Sequence, residues 1–311
     1  MIKQKAEKRR KTKSERTIIR EKTISFIILF VFCFIWCIPF LYMIGTSFKS
    51  ELDLQVHPEL FFPSSASEWT LNNYKGFLVQ ASGEAGYLIQ WIGNSLWSSA
   101  AAVILTVVID LVTAYALVFL KFKGKNFIVG FLILWMTVPG VIGTAPSFAI
   151  YSQIKNSLQI NQNPTLLYIY IYMWLIVPGL SGIFNMLLMR SFFLSIPKEI
   201  VESAKSDGAS NMMIFRRIVC PLAKSTIMLI ILFVFIGSWN NLVFPQLLLS
   251  EGRYGWKTIT VGMTVYTGGS GLDSAGVAMA SSLFSMIPII IVFIITQNKM
   301  IDGMASTGIK G

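Results

Sequence analysis

Six apolar stretches separated by polar segments set the pattern of this chain: residues 24–45, 92–120, 127–151, 164–189, 225–249 and 274–296. A run of about 18 or more apolar residues crosses the hydrocarbon layer of a bilayer as a helix. A helix also pairs its own backbone groups where water is absent. The pattern therefore predicts an all-α membrane protein whose six transmembrane helices fill residues 24–297. Around them it places a basic tail (1–23), an external loop (46–91), a polar loop (190–224) and a C-terminal tail (298–311). The first apolar run follows a basic stretch, as in a signal peptide. It is too long for one and has no small-residue cleavage site, so it is expected to stay as a helix.

The loop before the fifth span departs most from its surroundings. Glu199 to Pro221 reads EIVESAKSDGASNMMIFRRIVCP. Pro197 is tolerated in a first helical turn, and Ser195 is placed to cap that start. Glu199 and Glu202 follow where acidic groups suit the positive end of the helix dipole. Gly208 stands where a left-handed, helix-ending turn is wanted. Ser210 then caps a second short helix carrying Met213, Ile214, Phe215 and Ile218, which Pro221 closes. The segment reads as a helix–glycine–helix knob on the end of a membrane bundle, suited to docking.

The spacing also resembles a known motif. Glu202-Ser203-Ala204, three residues, Gly208, nine residues, Ile218, two residues and Pro221 are similar to the EAA loop of binding-protein-dependent ABC importer permeases. The family pattern has Ala in place of Ser203 and Leu in place of Cys220. Asp207-Gly208-Ala209, Arg190-Ser191-Phe192-Phe193, Ile196-Pro197, Trp239-Asn240 and the closing Gly308-Ile309-Lys310-Gly311 resemble its carbohydrate branch, the maltose-transporter-like permeases. The resemblance implies a type I importer bundle in the plasma membrane of a bacterium. It gives ATPase coupling to Glu202, Ser203, Ala204, Asp207, Gly208, Ala209, Ile218 and Pro221. It further implies a homologous second permease subunit, two cytosolic ABC ATPase subunits and an extracytoplasmic solute-binding protein, with a carbohydrate, an oligosaccharide, as cargo. ATP and Mg2+ would be held by the ATPase subunits, with no cofactor on this chain.

Composition and charge add class and orientation. The chain is 54% hydrophobic and 13% charged, which excludes a soluble domain. Cytoplasmic loops collect Lys and Arg, and ten of the 26 basic residues, Lys3 through Lys22, precede the first span. With the N-terminus inside, the loop of Lys121, Lys123 and Lys125, the knob and the C-terminus are inside too. Only Lys49, Lys75, Lys155, Arg253 and Lys257 are then exported. The expectation is N-in and C-in, and the formal charge of +11 is a topology signal rather than a nucleic-acid-binding one.

Candidate chemistry is sparse. Cys33 and Cys37 lie one turn apart in the first span and Cys220 is cytoplasmic, so no disulfide framework is expected. His57 is the only histidine, which leaves no metal set and no catalytic triad. Asp110 is the one clearly intramembrane charge, read as a carboxyl hydrogen-bonded to a neighbouring helix rather than as an ion relay. The chain has no phosphate-binding Gly-x-x-x-x-Gly-Lys-Ser/Thr loop. A polytopic, non-enzymatic protein without an energy source of its own but with a docking knob implies a separate motor. The alternative is an ion-coupled carrier or a channel whose knob is an ordinary loop.

Within the spans, Pro139-Gly140, Pro146, Pro178-Gly179 and Pro288 mark bends. Trp239, Asn240 and Asn241 in the fifth are candidates for the translocation path, since an indole beside two amides suits a sugar. Such amides serve equally as interhelical glue. Tyr168, Tyr170, Tyr172 and Trp174 are read as an interfacial aromatic belt. The loop 46–91 is a solvated segment with a little helix, or else a surface for a delivering protein.

Overall fold

The computed structural model describes residues 2–83, 87–180, 182–250, 253–267 and 275–308, and their regular structure is helical. The chain divides into two compact units, residues 1–77 with 269–283, and 78–268 with 284–311.

The first unit begins with α1 (Ile2–Ser47), in which the basic stretch and the first span form one helix. Next come α2 (Glu51–Val56), a 3-10 turn (Ala66–Glu68) and the start of α3 (Asn72–Gly83). The segment after α1, read as a solvated segment with a little helix or as a surface for a delivering protein, carries that helix in α2 and the 3-10 turn and is folded around a buried ammonium. Lys49 is wholly inaccessible and donates through Nζ to the carbonyls of His57 (2.7 Å) and Leu60 (2.6 Å). The Asn73 amide donates to the carbonyls of Ser47 and Lys49, both at 2.9 Å. Ser50 caps α2 by accepting the Asp53 N–H. Buried polar groups are tolerated when they are paired in this way.

In the second unit the axis is α4 (Tyr87–Phe119). It is followed by α5 (Lys125–Met136), α6 (Thr144–Ser157), α7 (Pro164–Ile176), α8 (Ile183–Ser195) and α9 (Lys198–Ser206). Then come α10 (Asn211–Ile214), a π-helical stretch (Phe215–Val219), α11 (Cys220–Leu222), α12 (Lys224–Trp239), α13 (Val243–Leu249), α14 (Ile259–Thr267) and α15 (Ala275–Gly308), of which residues 284–308 belong to this unit. Through the middle of α4 the buried residues are small or polar: Ser95, Ser99, Ala102, Thr106, Asp110 and Ala114. Small residues let helix backbones approach closely in a membrane, and α12 and α8 pack against this helix.

Among the described residues, three unbroken helices are long and apolar enough to span a bilayer: Ile18–Ser47, Tyr87–Phe119 and Ala275–Met300. Three more candidates are bent pairs: α5 with residues 140–157 at 89°, residues 164–179 with α8 at 47°, and residues 211–222 with α12 at 76°. The first break contains Pro139 and the second follows Pro178-Gly179; the missing N–H and restricted φ of proline disfavour an uninterrupted α-helix there. Pro146 and Pro288 make no break: Pro146 lies in the first turn of α6, and α15 runs on through Pro288. The expected continuous fifth span, 225–249, is interrupted. α12 ends at Trp239, with Asn240 as its cap, and α13 starts at Val243.

The aromatic residues of α7 are not a lipid-facing belt. Tyr170 and Tyr172 are buried. The Tyr170 hydroxyl donates to the Tyr151 carbonyl (2.9 Å), and Tyr172 donates to the Trp256 carbonyl (2.8 Å). Tyr168 donates to the Asn94 side-chain oxygen (2.9 Å) and accepts from the Trp97 indole (3.1 Å). The helical period sorts these residues: Tyr168 and Tyr172, four apart, meet Trp97, while Tyr170 and Trp174 meet Tyr151.

α14 packs closely on α4 at Gly262, where a Cβ would overlap the buried Trp91 indole. Gly262→Val should cost about 1–3 kcal/mol by overpacking and lower the apparent melting temperature of the detergent-purified protein. Gly237→Ala, in open space on α12, should not.

Candidate functional site

The knob is built by two local devices and one shared core. α9 ends in a complete Schellman motif: the Gly208 N–H donates to the Lys205 carbonyl and the Ala209 N–H to Ala204, both at 3.0 Å. Gly208 takes φ +83°, and the space around its missing side chain is open. The glycine is therefore required by backbone conformation and not by crowding. Ser210 caps the following helix, accepting the Met213 N–H at 3.3 Å. The core beneath draws Val201, Ile214, Val219 and Ala223 of the knob into one cluster with Ala114, Tyr115, Met189, Phe193, Ile196 and Ile230 of the bundle.

Two expectations for this segment fail locally. Ser195 does not cap α9. It belongs to the last turn of α8, where its hydroxyl donates to the Phe192 carbonyl (2.7 Å), and the cap position is taken by Pro197 without a side-chain bond. Pro221 does not close the second helix either. In an α-helix its ring would strike the carbonyl four residues back. The backbone instead widens into a π-turn, with the Cys220 N–H donating to Phe215, and the helix continues to Leu222.

The motif residues divide by exposure. Glu202, Ser203, Asp207, Gly208 and Pro221 are exposed, while Ala204, Ala209 and Ile218 are half-buried against the shared core. Ile200, Met212 and Met213 add exposed apolar surface to the same knob. Tyr115 of α4 donates to the Asn211 carbonyl at 3.0 Å, tying the second span to the start of the knob's second helix. Sequence reading passed over Tyr115, because nothing local relates two residues 96 positions apart.

The structure separates the proposed path trio. Trp239 is 1% exposed, stacks on Phe235 and donates its indole N–H to the Ser285 carbonyl at 3.1 Å. Its own carbonyl accepts from Thr260. Trp239 thus packs the interior, and its polar handle is already used. Asn240 is exposed and Asn241 half-buried in the break between α12 and α13. Asp110 is buried with Oδ2 unpartnered, so the interhelical hydrogen bond expected of it is not made among the described residues. Adjoining positions of α4, Val107, Leu111 and Ala114, pack in an apolar cluster with Met189, Ile230 and Val234. His57 is half-exposed, 3.6 Å from Glu59, and no metal-ligating cluster occurs among the described residues. The closing 309–311 lie outside the described residues.

Residues 107–302 match the model of a binding-protein-dependent transport system inner membrane component. The chain is 31% identical over 275 residues to a diacetylchitobiose uptake system permease protein of Streptomyces coelicolor, covering 88% of this chain and 91% of that one. It is 28% identical over 280 residues to an arabinooligosaccharides transport system permease protein of Halalkalibacterium halodurans, covering 89% and 92%. In fold it is similar to a chain of a bacterial ABC transporter involved in the import of the acidic polysaccharide alginate. That match has a TM-score of 0.65 and 20% identity, covering 88% of this chain and 94% of that chain. The family expected from the knob motif is the one that matches. The chain belongs to the binding-protein-dependent transport system inner membrane components and is a multi-pass protein of the bacterial plasma membrane.

Proposed function

We propose that this chain is one of two permease subunits in an ATP-driven importer of oligosaccharides, with six spans and both termini in the cytoplasm. The observation that carries the proposal is the construction of the knob. Its outer face, with Glu202, Asp207, Met212 and Met213, is exposed, while its inner face shares a core with α4, α8 and α12. A partner that pulls on such a knob moves the bundle with it. In this reading Glu202, Ser203, Ala204, Asp207, Gly208, Ala209, Ile218 and Pro221 meet the ATPase subunits, which hold ATP and Mg2+. Docking shifts the bundle between inward-open and outward-open states only if the docked contact differs between them. The diacetylchitobiose and arabinooligosaccharide relatives support an oligosaccharide cargo. Asn240 and Asn241, with no side-chain partner among the described residues at a break in the fifth span, supply amides suited to sugar hydroxyls. Trp239 positions that break from the interior. A solute-binding protein delivers the cargo on the outer side.

Orientation is tested by cysteine labelling in a Cys-free background. A cysteine at the exposed Ser64 should react with a membrane-impermeant maleimide in intact cells, and one at the exposed Ser206 only after permeabilisation. The reverse pattern would overturn the N-in assignment.

Coupling is tested at the knob itself. Gly208→Val forces a β-branched residue to φ +83°, at a cost of about 1 kcal/mol or more, and re-aims the second helix. Glu202→Lys reverses a charge on the outer face. Both variants should insert normally, yet lose substrate-stimulated ATP hydrolysis and uptake together, with ATPase subunits shed on mild purification. Normal uptake by Gly208→Val with the ATPases still attached would reduce the knob to an ordinary loop and favour a self-sufficient carrier.

A further inference from the structure

A cleft of about 430 Å³ opens where the turn between α4 and α5 meets the end of α8 and the start of α9. Five cationic side chains line it, Lys121, Lys125, Arg190, Lys198 and Lys205, against one carboxylate, Glu202. None of the five forms an ion pair among the described residues. The Lys125 ammonium donates to the Val118 carbonyl at 2.9 Å, and Arg190 and Lys198 lie near enough to repel it. Arg190 Nε is shut off from solvent and has no acceptor. A buried donor without an acceptor and a concentration of like charge are both unfavourable unless something anionic completes them.

The position of the cleft narrows what that anion is. α4 stays apolar up to Phe119, and the charged run Lys121, Lys123 and Lys125 follows at once. The cleft therefore sits where a span leaves the hydrocarbon, at the depth of lipid headgroups. Its lining is not purely polar, for Leu194 shares it and is 55% exposed. A free anion satisfies the cations and leaves Leu194 bare. A lipid satisfies both, with its phosphate on the guanidinium and ammonium groups and its acyl chain along the leucine.

We propose that this cleft holds the phosphate of an anionic phospholipid headgroup, bridging Lys125, Arg190 and Lys198 and joining the α4–α5 turn to the first helix of the knob. The inference stands whichever leaflet this end faces, and it does not require the knob to dock against an ATPase.

The test uses the full chain, purified in mild detergent and examined by native mass spectrometry after incubation with phosphatidylglycerol, phosphatidylcholine or inorganic phosphate. Phosphatidylglycerol should be retained over phosphatidylcholine by about five-fold or more, the scale of one basic side chain beside an anionic lipid. Arg190→Gln with Lys198→Gln should bring it down to the phosphatidylcholine level, while Arg190→Lys keeps most of the preference. Lys121→Gln with Lys125→Gln, on the turn, should have the same effect and stands in if the first pair does not fold. Equal phosphatidylglycerol retention in the native chain and the folded variants would overturn the proposal. Retention of inorganic phosphate without a lipid preference would make this a free-anion site and overturn the lipid assignment. If the variants lose co-purifying ATPase subunits but bind lipid unchanged, the cleft belongs to a protein partner and the proposal also fails.

Discussion

Backbone N–H and C=O groups left unpaired in hydrocarbon cost several kcal/mol each, and the interruptions of this bundle are shaped by that constraint. At Pro139-Gly140 the chain turns through a 3-10 segment, in which the Ile142 N–H reaches back to the Pro139 carbonyl. At Pro178-Gly179 the Leu180 N–H pairs with Val177. Where α12 stops, Asn240 closes the helix onto Ile236 and the Trp239 carbonyl takes the Thr260 hydroxyl. The π-turn before Pro221 is the same solution in another form: one wider turn absorbs a residue that an α-helix would reject. Bends are permitted where local pairing or a side chain takes over the freed groups.

The side chains follow the same rule. The phenols of Tyr168, Tyr170 and Tyr172 and the indoles of Trp97 and Trp239 each carry one polar atom on a large apolar body. Each of these atoms meets a hydrogen-bond partner within the second unit. That arrangement lets aromatic residues fill the interior at positions where a hydropathy pattern alone puts them at a water interface. It also holds α13 and α14 close to α7, through the apolar cluster shared by Tyr170, Tyr172, Leu248, Leu249 and Val261.

The knob inherits its rigidity from the bundle. α9 and α10 are too short to be stable alone, and they persist because Val201, Ile214 and Val219 are buried with Met189, Phe193 and Ile230. The Tyr115 hydroxyl on the Asn211 carbonyl adds a directional tie from α4. What remains outside is polar except for Pro197, Ile200, Met212, Met213, Pro221 and Leu222. A helix–glycine–helix corner whose inner face is bundle core and whose outer face is mixed is mechanically an extension of α8 and α12.

Read alone, the sequence determined the all-helical membrane class, the placement of the knob, the left-handed glycine at 208 and the Ser210 cap. Each of these depends on local chemistry: run length, the conformational freedom of glycine, and a hydroxyl three residues from an unpaired N–H. Periodicity and composition could not say which way a tyrosine on an apolar helix points, because interior and interface are both acceptable to it until its partner carbonyl is in place. They could not show that Trp239 is covered, that Lys49 lies at the centre of a folded segment, or that Ser195 ends one helix instead of starting the next. Nor could they bring Lys121 and Lys125 to Arg190 and Lys198, which lie more than sixty residues away in the chain. Those outcomes depend on contacts between distant segments, whose energies exceed the local preferences that sequence reading relies on, and only the tertiary structure decided them.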